Sequence, residues 1–483
     1  MRPSPARGDP SALDPATEEL KSLLVSATGN FRLSAENSPV LEKARNRLLH
    51  NGLSSLSAYL ELLKKGEVGK RELDCLIAEL TVGETFFFRQ PDHFDALRDQ
   101  VLPACLKRNE NSRQLRIWSA GCANGAEPYS IAILVHAALG DRFKDWNVVI
   151  VGSDINRAFL AEAEAGSYSA WTLRGVPKEQ VPGFFAKRDQ YWLLREKYKQ
   201  KVHFVYHNII NEEMPSIHKN IFAFDIVFCR NVMIYFDSAV NLRLAERINS
   251  VMVDDGWLFV GSTDFNPHLD ATFASEKRSG AIVLRKRSAD GRAALETAAA
   301  MVAGTEPPRP EADALGSSSG KTSVRRRAIV GTGSRLRTAA RRAAPEPLLR
   351  QSSDIATIVE LANRGDWQNA SRHCEAILAG DPFNAAVHYY YALILQSTGA
   401  HGEAEQALRR AIYLDRGFAL AHYQLGLARK DARDLSACAK AFRNTLDALS
   451  QTPDDQTISP CGQITALDLR ELATQQLELL GEQ

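Results

Sequence analysis

The spacing of apolar positions changes character along this chain, and each change predicts a different kind of structure. From about residue 16 to 79 the spacing is helical: Leu41, Ala44 and Leu48 share one face, while Lys43, Arg47 and His50 fall elsewhere. Gly52 is a stop signal, and 54–63 reads as a further helix. A small helical domain is expected over 16–79. Its basic face is either a solvated surface or a contact for an acidic partner helix.

Over 80–287 the pattern becomes apolar, β-rich runs separated by helical stretches. Strands are expected at 114–120, 147–155, 202–209, 224–230, 256–263 and 281–287, with helices at 127–139 and 238–252. Several runs are apolar almost without a break, as in strands covered on both faces. The alternation predicts an α/β fold with a Rossmann-like doubly wound sheet. Residues 166–200 break it: Gly166, Gly175, Pro177, Pro182, Gly183 and several aromatics point to a subdomain inserted after the second strand.

From about 288 to 350 Ala, Pro, Gly, Ser and Arg dominate, and between Lys321 and Arg350 nine basic residues face one acid, Glu346. Such a segment buries too little apolar surface to offset its ordering entropy, so a flexible basic linker is expected. It is either a plain tether or a contact for an anionic surface. Beyond it residues recur at a 34-residue step: Gly365 as Gly399, Ala370 as Ala404, His388-Tyr389 as His422-Tyr423, and Leu378 as Ile412 and Leu446. That period is the signature of tetratricopeptide helix pairs. The reading is an all-α repeat array over 351–483, closed by a capping helix near 464–480. Its groove suits an unidentified protein or peptide ligand, the alternative being a structural spacer.

Composition narrows the function classes. The 483 residues leave room for about three domains. A net charge of +1 gives no global signature for nucleic acid or a membrane. No apolar run reaches the roughly 18–20 residues that span a bilayer, and the first residues lack the apolar stretch of a secretory signal. Seven scattered cysteines without a Cys-x-x-Cys pair argue against a disulfide framework or a zinc site. The expectation is a cytoplasmic protein with no metal, touching a membrane only through a partner.

The chemistry concentrates in residues 116–133, RIWSAGCANGAEPYSIAI. A strand runs into Gly121 and Gly125 and then into a helix with Pro128 in its first turn, a place where a missing N–H costs nothing. The glycines allow close approach of a ligand to the backbone. The spacing is neither G-x-G-x-x-G nor a phosphate loop, and Glu127 at the helix start would repel phosphate but attract an ammonium group. Asp154, ending the second strand, either caps the following helix or takes ribose hydroxyls. Asn208 and Ile209 end the third strand, where an amide and an apolar wall could flank an adenine. Arg230, Asn231 and Tyr235 follow the fourth, at the carboxyl edge where open α/β sheets bind ligands.

Three motifs, LTVGETFFFR (80–89), WSAGCANGAEPYSIA (118–132) and FDIVFCRNVMIYFD (224–237), match in order and spacing the CheR-type chemotaxis-receptor methyltransferases. The resemblance spans roughly 16–287. It implies S-adenosylmethionine as cofactor and glutamate side chains of a methyl-accepting receptor as substrate. By the same resemblance Thr85, Arg89, Gly121, Glu127, Asp154, Asn208, Ile209, Arg230 and Asn231 are expected to contact the cofactor, and Tyr235 matches the last motif; Arg89 and Tyr235 are the expected catalytic residues. Gly83 replaces the family's usual Asn, and Asn124 and Ala126 its usual Thr and Glu, which removes minor contacts only.

A glutamate is ionised at neutral pH, with a reference pKa of about 4.3, so attack on a sulfonium methyl needs no general base. Alignment should dominate, with Arg89 and Tyr235 positioning the carboxylate. Family members that dock on a receptor's C-terminal pentapeptide tend to carry a Gly-rich loop in the inserted subdomain. Residues 184–200 contain no glycine, so pentapeptide-independent docking is expected. Two other readings stay open: a small-molecule methyltransferase, and a signalling adaptor with a degenerate methyltransferase domain.

Overall fold

The computed structural model describes residues 15–35, 39–265, 269, 272–287, 346–458, 460 and 464–481. The Pro- and Ser-rich start of the chain and all but the last five residues of the expected linker lie outside these. Those five, 346–350, begin a helix instead.

Four helices come first, α1 (Pro15–Thr28), α2 (Val40–His50), α3 (Leu56–Leu63) and α4 (Gly66–Leu80). Leu20, Leu24, Val40, Ala44, Leu48, Tyr59 and Leu76 form their core, and Ser55 caps α3 by accepting the N–H of Ala58. Arg47 departs from the expected solvated face. Its Nε and Nη2 donate to Glu72 at 2.9 and 2.6 Å, and Tyr59 Oη donates to the same carboxylate at 2.7 Å. Burial works against ionisation of Glu72, but these donors prevail and hold its pKa below the ordinary carboxylate value.

After α5 (Pro91–Ala96) and α6 (Leu102–Arg108) the chain enters the sheet at β1 (Gln114–Ala120). Then follow α7 (Ala126–Leu139), β2 (Asn147–Asp154) and α8 (Arg157–Ala165). The insertion comes next: β3 (Ser167–Tyr168), α9 (Val181–Phe184), β4 (Phe185–Arg188), β5 (Tyr191–Leu194) and α10 (Glu196–Lys199). Its strands form their own antiparallel sheet, ordered β3-β5-β4. The main sheet resumes with β6 (Val202–Tyr206), β7 (Phe224–Cys229), α11 (Ser238–Ser250), β8 (Met252–Val260), β9 (Phe273–Arg278) and β10 (Ala281–Lys286).

Strand order is β6-β2-β1-β7-β8-β10-β9, parallel from β6 to β8 and antiparallel over the last two pairings. Alternate residues feed opposite layers. Ile117, Ile150, Ile226 and Phe259 face one, Trp118, Val151, Val227 and Leu258 the other. Coverage on both faces explains the unbroken apolar runs. β9 escaped the sequence pattern because Phe273–Arg278 (FASEKR) lies at the sheet edge and buries only Phe273.

The C-terminal helices are α12 (Glu346–Asn363), α13 (Trp367–Gly380), α14 (Ala385–Ser397), α15 (His401–Leu414), α16 (Ala419–Asp431), α17 (Leu435–Leu449) and α18 (Ala466–Leu479). Each pair turns on a positive φ, at Gly365 (75°), Gly399 (83°) and Arg433 (60°). Among the described residues no helix is long and apolar enough to cross a membrane.

Candidate functional site at the carboxyl edge of the sheet

The loop from β1 to α7 is held open by backbone geometry. Gly121, Ala123 and Gly125 all have positive φ, at 69°, 46° and 83°. The N–H groups of Gly121 and Cys122 both donate to Ser153 O, at 2.8 and 2.9 Å, tying the loop to the end of β2. A Cβ on Gly121 would stand 2.5 Å from Val232 Cγ2, so glycine lets the loops after β1 and β7 approach each other.

Asp154 and Glu127 lie on either side of this loop. Asp154 is 9% exposed; its Oδ2 accepts Ala123 N and its Oδ1 accepts Asn156 N, both at 2.9 Å. Burial raises its pKa, against the pull of these amides. Glu127 Oε1 accepts Ser119 Oγ at 2.7 Å, and its Oε2 accepts Arg230 Nε at 2.6 Å. An ionised carboxylate has about four acceptor directions, so each acid keeps capacity for a ligand.

Arg230 is a buried hub. Besides Glu127 it donates from Nη1 to Arg89 O (2.6 Å) and Gln90 Oε1 (3.2 Å), and it lies 3.4 Å from His93 Nδ1. Burial, reinforced by the adjacent guanidinium, lowers the His93 pKa to about 4, which leaves a neutral ring. Arg230 thereby joins the motif before β1, the start of α7 and the end of β7. Its fork is taken up largely by protein partners, so its part at the site is to hold Glu127 and the Arg89 loop in place.

That loop is strained and anchored. Phe88 and Gln90 have φ of 56° and 62°. Phe87 N donates to Thr172 O in the insertion, and Phe88 N to Ser130 Oγ on α7, each at 3.0 Å. Arg89 Nη1 donates to Glu84 O at 2.6 Å, leaving the rest of its guanidinium half-buried near the Phe86 ring. Thr85 is half-buried in the same turn. Where the family usually has Asn, a Cβ on Gly83 would meet the Phe159 ring at 2.3 Å, so an aromatic side chain from α8 fills that space.

Beyond β7, Asn231 adopts φ 59°, and its N–H donates to Asp264. The same carboxylate accepts Ile234 N and Gly261 N, both at 3.1 Å. Asp264 thus shapes the turn that carries Asn231 and Tyr235. The Tyr235 ring is half-buried, with the Arg32 guanidinium 5.7 Å from its centroid. Sequence reasoning missed Asp264, Ser119, Ser130 and Arg32. Only Asp264 left a signal, as a lone acid past the carboxyl end of an apolar strand.

Two expected residues are engaged by the protein itself. Asn208 Nδ2 donates to Ala27 O on α1 at 2.8 Å, and its Oδ1 accepts the N–H groups of Ile210 and Asn211. Ile209 is 8% exposed and packs in the core beside α11. Tertiary contacts with the N-terminal helices, invisible in a linear motif, claim the amide.

The donor-rich groups of S-adenosylmethionine fit what remains. Glu127 and Asp154 suit an ammonium and ribose hydroxyls. Asn124 Oδ1 is buried in the same loop with no hydrogen-bond partner among the described residues, a further acceptor awaiting a donor. No grouping of His, Cys, Asp and Glu among the described residues is arranged to hold a metal.

Comparison with known proteins agrees. The profile for the CheR methyltransferase, SAM binding domain, matches residues 83–281. A chemotaxis protein methyltransferase of Borreliella burgdorferi is 32% identical over 253 residues, 51% of this chain and 88% of the relative. Chemotaxis protein methyltransferase 1 of Pseudomonas aeruginosa is 30% identical over 279 residues, 56% of this chain and 97% of the relative. The chain belongs to the CheR chemotaxis methyltransferase family. It is therefore an S-adenosylmethionine-dependent methyltransferase. The corresponding protein of Escherichia coli, 30% identical over 240 residues, covers 48% of this chain and 78% of its own length. The matched profile ends before the helical array begins.

Proposed function

We propose that this CheR-family enzyme forms methyl esters on glutamates of a methyl-accepting chemotaxis-type receptor and docks on it without needing a C-terminal pentapeptide. The observation that carries the reading is the Arg230 hub, which holds Glu127 on one side and the Arg89 loop on the other. Cofactor acids and substrate-facing residues are thereby fixed relative to each other, as an in-line displacement requires.

Bound S-adenosylmethionine supplies an electrophilic methyl on a sulfonium. The chain's own residues do the rest by position. Arg89 and Tyr235 orient an already ionised carboxylate, with the Arg32 guanidinium beside the tyrosine ring. Glu127, Asp154 and Asn124 bind the donor groups opposite. A tight Arg–carboxylate pair would blunt nucleophilicity, so Arg89 positions the substrate and does not activate it. Docking independent of the pentapeptide is supported by the β4–β5 hairpin, whose two-residue turn is Asp189-Gln190, with Asp189 at φ 54°, and contains no glycine.

The test is transfer of radiolabelled methyl groups from the cofactor to a panel of the host's receptors. Label released by mild base as volatile methanol identifies an ester. Base-stable label, or labelling of small molecules alone, would overturn the assignment. Tight capture of the pentapeptide by the full chain would overturn the docking mode.

A further inference from the structure

The repeat array is closed against the catalytic domain. His218, on the hairpin before β7, lies between two tyrosines of α14. Its Nδ1 is 3.3 Å from Tyr389 Oη, its Nε2 is 3.3 Å from Tyr390 Oη, and the Tyr389 ring is parallel to it within 8°. Asn147, the first residue of β2, donates from Nδ2 to Ser397 O (2.7 Å) and Gln396 O (3.3 Å), carbonyls at the C-terminal end of α14. Trp367 at the start of α13 meets Phe222 edge-on, 5.3 Å between ring centroids. Helix-pair arrays ordinarily recognise peptides. Here the α14 surface already holds an imidazole and an amide of its own chain.

A second, charged contact reaches towards the cofactor site. On the cap helix α18, Asp468 lies 3.3 Å from Arg157 Nη2 and 3.4 Å from Lys70 Nζ, and Glu471 lies 3.2 Å from Arg71 Nε and 3.8 Å from Arg157 Nε. Lys70 and Arg71 belong to α4, and Arg157 begins α8. The next residue back, Asn156, donates its N–H to Asp154 Oδ1 (2.9 Å) and its side-chain amide to Thr81 Oγ1 (2.8 Å). Two residues on, Phe159 covers Gly83. Asp468 is thus linked through Arg157 and Asn156 to the acid at the tip of β2 and to the loop that carries Thr85 and Arg89.

We propose that the array is a clasp in cis. Closed, it joins α4 to the first turn of α8 and so fixes Asp154 and the loop from Thr81 to Arg89 for cofactor binding. A partner segment that offers an imidazole to the two tyrosines and an amide to the carbonyls of 396–397 competes with the catalytic domain for α14. Its binding opens the clasp and weakens cofactor binding, so the array reports partner occupancy to the active site. The inference rests on the cofactor site described above.

The test uses the full chain, with S-adenosylhomocysteine as probe. Charge reversal at the cap, D468K/E471K, should speed hydrogen exchange over 216–223 and raise the Kd for the probe about five- to tenfold, the lower range of coupling between sites. The full charge swap, with K70E/R71E/R157E added to D468K/E471K, should restore both. Faster exchange with unchanged affinity would overturn the coupling, and unchanged exchange would overturn the clasp. A swap that restores nothing would show that the cap variant acts by general damage, which also overturns the proposal. If the wild-type chain binds no probe, the failure lies with the cofactor assignment instead.

Discussion

The carboxylate of Asp264 accepts the backbone N–H of Asn231, and with it two further amides, at Ile234 and Gly261. One buried acid thus folds the turn that presents both Asn231 and Tyr235. Replacing it with Asn keeps the shape but swaps one acceptor oxygen for a donor. A buried N–H left unpaired costs about 1–3 kcal/mol. If that loss falls on the barrier, Asp264→Asn should lower kcat/KM roughly 5- to 150-fold and weaken cofactor binding. Methyl-transfer kinetics and calorimetric titration check it; wild-type values would show that the turn holds without Asp264.

Glu127 and Arg230 have a structural role and a binding role, and two variants separate them. Glu127→Gln strands the buried guanidinium, which should cost about 3–5 kcal/mol of stability. Adding Arg230→Met removes the stranded charge and should recover most of that loss, yet leave cofactor binding impaired. Chemical denaturation and cofactor titration of both variants decide the matter. Full recovery of binding in the double variant would assign Glu127 a purely structural part.

Tyr235→Phe removes only the hydroxyl. A hydrogen bond to a charged group contributes about 1.5–3 kcal/mol, so turnover should fall roughly tenfold or more. Cofactor affinity should stay unchanged. Collapse of cofactor affinity in this variant would move Tyr235 from substrate orientation to cofactor binding.

The boundary between what the sequence disclosed and what it hid follows the range of the contacts. Strands β2, β7 and β8 were legible because both faces are covered, which writes a nearly continuous apolar run. The loop at Gly121 and Gly125 was legible because its positive φ angles demand glycine. The bonding of the Asn208 amide was hidden because it answers to Ala27, nearly two hundred positions away, and no local pattern encodes that pairing. The pairing of Arg47 was hidden for the same reason, its partner Glu72 lying on another helix. Closure of the array was invisible too. Asn147 and Ser397 are unremarkable in sequence and meaningful only once they meet.

Closure of the array should depend on pH through His218. Burial lowers its pKa from 6.5 to about 4. The groups found against the ring are the neutral hydroxyls of Tyr389 and Tyr390, and neighbouring Lys219 turns instead to Glu212. A histidine with a depressed pKa binds fewer protons when the array is closed than when it is open. The contact is therefore at full strength above pH 6.5 and weakens as pH falls towards 4. The loss reaches at most about 2 kcal/mol by pH 5, less whatever solvent reaches the ring. Exchange over 216–223, corrected for intrinsic rates, should rise between pH 7 and pH 5 in the wild type and stay level in His218→Asn. A level profile in the wild type would mean that the imidazole is not sealed by the tyrosines.

Arg433 occupies the turn position that Gly365 and Gly399 hold in the other helix pairs, with φ of 60°. An L-residue in this left-handed conformation costs about 1–2 kcal/mol. Glycine would remove that strain but enlarge the conformational entropy of the unfolded chain, giving back about 0.4–1 kcal/mol. The Arg433 side chain is exposed, so little packing is lost. Arg433→Gly should therefore stabilise the array by about 0.5–1 kcal/mol, the difference between those terms, read as a higher urea midpoint with unchanged slope. Arg433→Ala shares the left-handed strain and should bring no gain. If both variants stabilised equally, the benefit would come from removing the arginine's charge and not from relief of the backbone.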